Sequence, residues 1–196
     1  MDNTKERRYF TGSVDFETRD GVVDENMIHG YAANFDKDSQ DFGGWIERLE
    51  KNSFDDVLED DAVALFNHDP NLVLGRNKVN VRLIQDAVGL RYDVNMPDTT
   101  LAKDVRQLVK NKIIYQSSFA FVVRKQEWEH FKDKPSIRHV VKVAKLYDVS
   151  PVTYPAYIDT TVASRSFMDE VKKNNPVIDR SLYIKIQQSI LTSQTK

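Results

Sequence analysis

Short segments rich in β-branched and aromatic residues recur along the first two thirds of the chain, separated by residues that favour tight turns. Asp20-Gly21 and Gly43-Gly44 are two of these turn signals, and such pairs join strands in hairpins and short loops. Many short strands with few helices predict a mainly β fold of the α+β class, an antiparallel sheet or barrel with helices on its outside. The predicted strands cover residues 9–17, 22–33, 45–49, 62–66, 79–84, 89–94, 113–123 and 140–149. Residues 85–88 are predicted to join the strands over 79–84 and 89–94 in a hairpin.

Two segments carry a helical pattern instead. Apolar residues recur at the spacing of one helix face over residues 101–112, which predicts an amphipathic helix capped by Thr99 or Thr100. A shorter helix is predicted from Ser53, whose hydroxyl would cap it together with Asp56 in an approximate capping box.

Polar and proline residues predict where the later strands end. The polar residues 116–118 are expected to interrupt the strand over 113–123. Pro151 and Pro155 are expected to turn the chain after the strand over 140–149.

Length and charge narrow the class of protein. With 196 residues the chain can form one domain with a sizeable core, expected over 1–165, followed by a polar tail over 166–196 in which 184–190 can be helical. The tail is a candidate segment for self-cleavage or docking. A net charge of −2 provides no basic field for phosphates, so we expect no nucleic-acid binding.

Cysteine is absent, which excludes disulfides and thiolate chemistry and suits a reducing cytoplasm. The first eight residues are polar, so we expect no secretory signal. No stretch approaches the roughly 18 apolar residues of a membrane span, so we expect no membrane insertion.

A histidine follows the apolar run at residues 62–66, in the string Asn67-His68-Asp69-Pro70. His68 can be a strand-end histidine whose ring is satisfied by a turn. It can also serve as a general base, because an imidazole accepts a proton near neutral pH.

A serine pair precedes an alternating strand pattern. Strand alternation places Ser118 on a face with Ala120 and Val122, opposite an aromatic face that is expected to be core. Ser118 is therefore a candidate nucleophile beside small side chains. Ser117 is the rival if the strand register differs by one residue, and both serines can instead simply close a loop.

An acid lies among apolar strand residues in the string Leu146-Tyr147-Asp148-Val149-Ser150-Pro151. An unpaired carboxylate there would be costly, so Asp148 needs a partner. An imidazole N–H is suitable, and Lys145 or Arg138 are alternatives.

Other chemistry has weaker support. His29, His68, His130 and His139 could bind a metal together with Asp69 or Asp148, but they match no compact metal motif, so we expect no metal site. No glycine-rich phosphate loop is present, so we expect no cofactor. The acids near residues 55–61 are interpreted as a solvated helix face, with a glycosidase pair as the alternative.

A series of short strings runs in a fixed order along residues 9–165. They are Gly30-Tyr31-Ala32-Ala33-Asn34-Phe35, Trp45-Ile46-Glu47, Ser53-Phe54, Asn67-His68-Asp69, Leu74-Gly75-Arg76, Gly89-Leu90, the helix near Ala102-Asp104-Val105, Ser118-Phe119-Ala120-Phe121, and residues 149–157. Together they resemble the prohead proteases of tailed bacteriophages, serine peptidases whose fold is similar to that of herpesvirus assemblin. The resemblance implies an assemblin-like antiparallel β-barrel flanked by helices.

The resemblance also implies a role for each candidate residue. Ser118 attacks the scissile carbonyl, His68 takes its proton as general base, and Asp148 orients His68. The chain departs from the family where Ala120 replaces a frequent glycine and Asp148 replaces the usual glutamate. Aspartate is one methylene shorter, so the strand or the histidine must lie closer.

The implied function is a serine endopeptidase of capsid maturation, acting inside the assembling prohead in the host bacterial cytoplasm. Its implied substrates are the scaffold, the scaffold-like segment of the major capsid protein, and the protease itself. Self-association into a homo-oligomer can be needed to order the site. The alternatives are a catalytically inactive assembly or scaffold protein of the same fold, which Asp148 in place of glutamate favours, and an unrelated esterase.

Overall fold

The computed structural model describes residues 6–19, 22–39 and 41–153, and one nine-stranded sheet organises most of them. The part described contains one α-helix and one short 3₁₀ helix. The elements are β1 (Glu6–Arg19), β2 (Val22–Asn34), β3 (Trp45–Leu49), the 3₁₀ helix (Asp55–Val57), β4 (Val63–Leu65), β5 (Val73–Arg76), β6 (Val81–Gln85), β7 (Gly89–Asn95), α1 (Thr100–Lys110), β8 (Gln116–Glu129) and β9 (Ser136–Val152).

The sheet follows the order β5-β4-β9-β8-β1-β2-β7-β6, and β3 also pairs with β9. Neighbouring strands are antiparallel except that β3 and β4 run parallel to β9. Strand β8 pairs along one edge of β9. On the other edge, β3 pairs with residues 136–140 of β9 and β4 pairs with residues 148–149. The long strand β9 is therefore the common support for the elements on both sides of it.

The two ends of the sheet approach each other through the side chain of Asn80. Its amide nitrogen donates to the carbonyls of Leu74, at 3.1 Å, and Asn95, at 2.9 Å. Its amide oxygen accepts from the backbone N–H of Arg76 at 3.0 Å. This side chain links β5 to β7, and the sheet forms a nearly closed barrel. The predicted mainly β, antiparallel barrel with a helix on its outside is confirmed.

Helix α1 forms as its sequence pattern predicts. The Thr99 hydroxyl accepts from the backbone N–H of Ala102 at 3.2 Å and caps the first turn. Val105 and Val109 are buried in the core. The helix ends at Lys110 rather than at residue 112, because Lys112 adopts a left-handed backbone conformation with φ of 56°.

The predicted hairpin around residues 85–88 joins β6 to β7. The Asp86 carboxylate accepts from the backbone N–H groups of Val88, at 2.8 Å, and Gly89, at 3.1 Å, which holds the turn. Gly89 has no tolerance for a side chain, since a Cβ would lie 1.9 Å from the carbonyl oxygen of Ala33. The close approach of β2 to β7 explains the glycine at this position.

The helix predicted from Ser53 is wrong in extent. Only the 3₁₀ helix forms, and no side chain caps it. Phe54 and Val57 are buried in the core, and the Asp60 carboxylate accepts from the backbone N–H of Leu146 at 2.8 Å. This contact holds the chain at Asp60 against β9, and β4 begins three residues later at Val63, so the helix does not continue.

The predicted boundaries of β8 and β9 are also wrong. Residues 116–118 begin β8 rather than interrupting it, because they pair with the end of β9. Pro151 lies inside β9, opposite Ser117, and does not turn the chain there. Register irregularities along β9 break the simple alternation of a strand, so its residues do not divide into one buried face and one exposed face.

The aromatic face of β8 is core, as predicted. Phe119 and Phe121 are fully buried with ring centroids 4.7 Å apart, and Phe54 packs edge-on against Phe119. The expected tail over 166–196, its helix over 184–190, and Pro155 lie outside the described residues.

Candidate active site

His68, Ser118 and Asp148 meet in a buried cluster although they come from three separate elements. His68 follows β4, Ser118 lies near the start of β8, and Asp148 lies near the end of β9. His68 Nε2 is 2.7 Å from Ser118 Oγ, and His68 Nδ1 contacts Asp148 Oδ1. The exposed fractions are 5% for His68, 0% for Ser118 and 2% for Asp148.

The pairing of β9 with both neighbours brings these residues together. On one edge, Val63 of β4 pairs with Asp148, so the turn after β4 lies beside the end of β9. On the other edge, Ala120 of β8 pairs with Asp148, and Ser118 pairs with Ser150. Residues two apart on a strand share a face, so Ser118 and Asp148 can point toward the same turn.

The turn that carries His68 has an unusual backbone. Asn67 and His68 both adopt left-handed conformations, with φ of 55° and 57°, which costs about 1–2 kcal/mol for a non-glycine residue. The Asn67 side chain donates to the Thr153 hydroxyl at 3.1 Å and accepts from the Thr153 backbone N–H at 2.8 Å. Its own backbone N–H donates to the Pro151 carbonyl at 3.0 Å. These bonds tie the turn to the end of β9.

The hydrogen-bond partners determine the tautomer of His68. An ionised carboxylate can only accept, so the proton on Nδ1 is donated to Asp148. Nε2 is then the unprotonated nitrogen, and it accepts from the Ser118 hydroxyl. A hydroxyl whose proton already points at an imidazole lone pair is prepared for proton transfer.

Ser117, the rival nucleophile, points elsewhere. Its hydroxyl is 2.6 Å from the Tyr92 hydroxyl and 3.5 Å from the Ser13 carbonyl oxygen. Burial raises the pKa of Tyr92 above its ordinary value, so this phenol stays neutral. Because side chains alternate along a strand, the two adjacent serines point in opposite directions: Ser117 contacts Tyr92, and Ser118 contacts His68.

Neither alternative partner of Asp148 is bound to it. Arg138 forms a buried ion pair with Glu47, at 2.7 Å, far along β9. Lys145 is exposed and its Nζ lies 5.3 Å from the centre of the Tyr147 ring.

Two further residues of the cluster escaped the sequence reasoning. Ser150 donates to Asp148 Oδ1 at 2.9 Å and lies 3.3 Å from His68 Nδ1. Asn67 supplies the contact to Thr153 described above. The spacing of Ser150 from Asp148 was the available signal, since residues two apart on a strand share a face.

The residues considered for other chemistry lie apart. His139 contacts Glu50, at 2.6 Å, and His130 contacts Ser136, at 3.1 Å. Within residues 6–19, 22–39 and 41–153, no group of three or more histidine or acidic side chains could hold a metal ion.

The acids considered as a glycosidase pair form surface ion pairs instead. Asp56 pairs with Arg124 at 2.9 Å, and Asp61 pairs with Arg76 at 2.5 Å. No helix in the described part of the chain is long and apolar enough to cross a membrane.

Comparison with known proteins gives one family. A sequence model of the family described as caudovirus prohead serine protease matches residues 13–174. No curated protein and no solved structure matched the chain. The matched range includes His68, Ser118 and Asp148.

Proposed function

We propose, since the chain belongs to the caudovirus prohead serine protease family, that Ser118, His68 and Asp148 are its catalytic residues. The observation that carries this proposal is the continuous hydrogen-bonded series from the Ser118 hydroxyl through both ring nitrogens of His68 to Asp148. This series has the order of nucleophile, base and orienting acid that acyl transfer requires.

In the proposed mechanism, Ser118 Oγ attacks the carbonyl carbon of the scissile peptide bond while His68 Nε2 takes its proton. Asp148 holds the Nδ1 proton and stabilises the imidazolium that forms. His68 then protonates the leaving amine, which leaves an acyl group on Ser118. A water molecule, deprotonated by His68, releases the acyl group and regenerates the serine.

Aspartate in place of the family's usual glutamate is compatible with this mechanism. The left-handed turn at Asn67 and His68 and its bonds to the end of β9 bring the imidazole within contact of the shorter side chain. The feature that favoured a catalytically inactive assembly protein therefore has a structural compensation.

Family membership supports a role in phage capsid maturation. We propose that the substrates are the scaffold, the scaffold-like segment of the major capsid protein, and the chain itself. Cleavage would take place inside the assembling prohead, in the host cytoplasm. Self-association is proposed as a requirement for full activity.

The test is co-expression of the chain with the major capsid protein of the same phage, followed by measurement of the masses of the protein fragments. We expect wild-type fragments to disappear in Ser118→Ala, because the nucleophile is removed. Ser117→Ala is the matched control, since its hydroxyl contacts Tyr92 rather than His68, and should preserve cleavage.

Identical fragment masses for wild type and Ser118→Ala would contradict the protease proposal and favour the inactive assembly protein. Labelling of Ser118 and turnover of small acyl esters, without any cleavage of capsid protein, would favour the esterase alternative. If the wild-type chain keeps its full mass while the capsid protein is cut, only the proposal of self-cleavage is contradicted.

A further inference from the structure

Ser150 lies directly across the sheet from Ser118. The two residues are register partners in the β8–β9 pair, and Ala120 and Asp148 are the next partners on the same face. The Ser150 side chain is fully buried, with an exposed fraction of 0%. Any hydrogen bond that this buried hydroxyl makes must therefore be to residues of the cluster around it.

The partners of Ser150 are two of the proposed catalytic residues. Its hydroxyl donates to Asp148 Oδ1 at 2.9 Å, the same oxygen that His68 Nδ1 contacts. Because its proton is directed at the carboxylate, Ser150 presents only lone pairs to His68 Nδ1, which is 3.3 Å away. Both neighbours of Nδ1 therefore accept, which keeps the proton on Nδ1 and the lone pair of Nε2 toward Ser118.

We propose that Ser150 is a positioning residue of the protease site, acting through Asp148. This inference rests on the proposed function of Ser118, His68 and Asp148. A donor to Oδ1 stabilises the ionised carboxylate and restricts its rotation, so the oxygen stays aimed at His68. The short aspartate reaches His68 by one oxygen, and Ser150 holds that oxygen in place.

The experiment measures covalent labelling of Ser118 by a fluorophosphonate probe in the sample co-expressed with capsid protein. The dependence on probe concentration separates the maximal labelling rate from probe binding. In Ser150→Ala we expect the maximal rate to fall about 10-fold or more, the effect of losing one hydrogen bond to a charged group. Probe binding should be unchanged, because the Ser150 hydroxyl is engaged with Asp148 and His68 inside the buried cluster.

Three further variants distinguish positioning from packing. Ser150→Cys keeps the size and a weak donor, so its rate should lie between those of wild type and Ser150→Ala. Ser53→Ala is the matched control, because Ser53 is equally buried and its hydroxyl has no hydrogen bond, and its rate should equal that of wild type. In an Asp148→Asn background, Ser150→Ala should add less than about a 2-fold loss, because the effect passes through Asp148.

Each result decides between the two proposals. An unchanged maximal rate in Ser150→Ala, with wild type labelled on Ser118, would overturn the positioning role alone. An equal loss in the wild-type and Asp148→Asn backgrounds would also overturn it, since packing rather than Asp148 would then carry the effect. Absence of label on wild-type Ser118 would overturn the proposed function and the role of Ser150 together.

Discussion

The long strands β8 and β9 carry a buried polar cluster near each end, and the two clusters differ in chemistry. At one end lie Ser118, His68 and Asp148. At the other end, Arg138 of β9 donates to Glu47 of β3 at 2.7 Å and to Gln126 of β8 at 2.7 Å. We call these the serine cluster and the arginine cluster.

Both clusters are buried, so burial of polar groups does not distinguish a reactive site from a structural one. Arg138 is 2% exposed and Glu47 is 0% exposed, comparable to the residues of the serine cluster. The arginine cluster joins a permanent donor to a carboxylate, and an arginine gives up no proton in proteins. The serine cluster places an imidazole between a hydroxyl and a carboxylate, which is the order that the proposed proton transfer requires.

The largest expected difference follows from Asp148→Asn. The amide keeps the side-chain shape but favours the wrong tautomer of His68, so we expect the labelling rate of Ser118 to fall roughly 10⁴-fold. The midpoint temperature of thermal unfolding should fall less in Asp148→Asn than in Glu47→Gln, a variant of the arginine cluster. A loss of rate under 10-fold would show that Asp148 does not orient His68.

The arginine cluster should show the opposite pattern. Glu47→Gln leaves Arg138 buried without a full counter-charge, which should lower the free energy of unfolding by about 3–5 kcal/mol. The labelling rate per folded molecule should stay near that of wild type. Denaturant unfolding and the labelling assay, both measured on the same sample, check the two halves of the prediction.

Glu59→Gln is the matched control for the ion pair. Glu59 pairs with Lys78 at 3.0 Å, but its side chain is 86% exposed. Solvent screens such a pair, so the variant should unfold like wild type. A stability loss equal to that of Glu47→Gln would show that burial is not the cause of the difference.

Asn67 tests how the serine cluster depends on its turn. Asn67→Ala removes the bonds to Thr153 and retains the strained φ of 55°, whereas Asn67→Gly removes the bonds and relieves the strain. We expect both to slow labelling, and the alanine variant to be less stable than the glycine variant by about 1 kcal/mol. Labelling at the wild-type rate in both would mean that the turn holds His68 without Thr153.

The smallest expected effect concerns Ser117, the neighbour of the proposed nucleophile. Tyr92→Phe removes the phenol that contacts Ser117 and should cost about 1 kcal/mol of stability, the value of one buried hydrogen bond. Labelling of Ser118 should be unaffected, because Ser117 and Ser118 point to opposite faces of β8. A slowed labelling rate at unchanged stability would show that the two faces are coupled.

Sequence patterns correctly predicted the elements whose structure depends on residues close to one another in the chain. The strand over 45–49, the hairpin around 85–88 and the cap at Thr99 formed as expected, because turn chemistry and short-range periodicity determine them. The predictions from Ser53 and Pro151 were wrong because distant partners on β9 and β8 decided those segments.

The candidate site was predictable as a set of residue types but not as an arrangement. A histidine, two serines and an acid in apolar surroundings can be recognised in the sequence, and strand alternation favoured Ser118 over Ser117. The contacts of Asn67 could not be found in the same way, since Thr153 lies next to Asn67 only in the folded protein. The spacing of Ser150 from Asp148 is visible in the sequence, but the contact of Ser150 with His68 depends on the fold.

The sequence by itself determined the mainly β architecture, the family of the chain, and the residues able to carry a proton-transfer series. Tertiary structure alone decided which groups touch: His68 meets Ser118 and Asp148, and Arg138 meets Glu47. The physical reason is that hydrogen bonds depend on strand pairing between distant segments. The register of these strand pairs depends on core packing and on bulges, so no single stretch of sequence determines it.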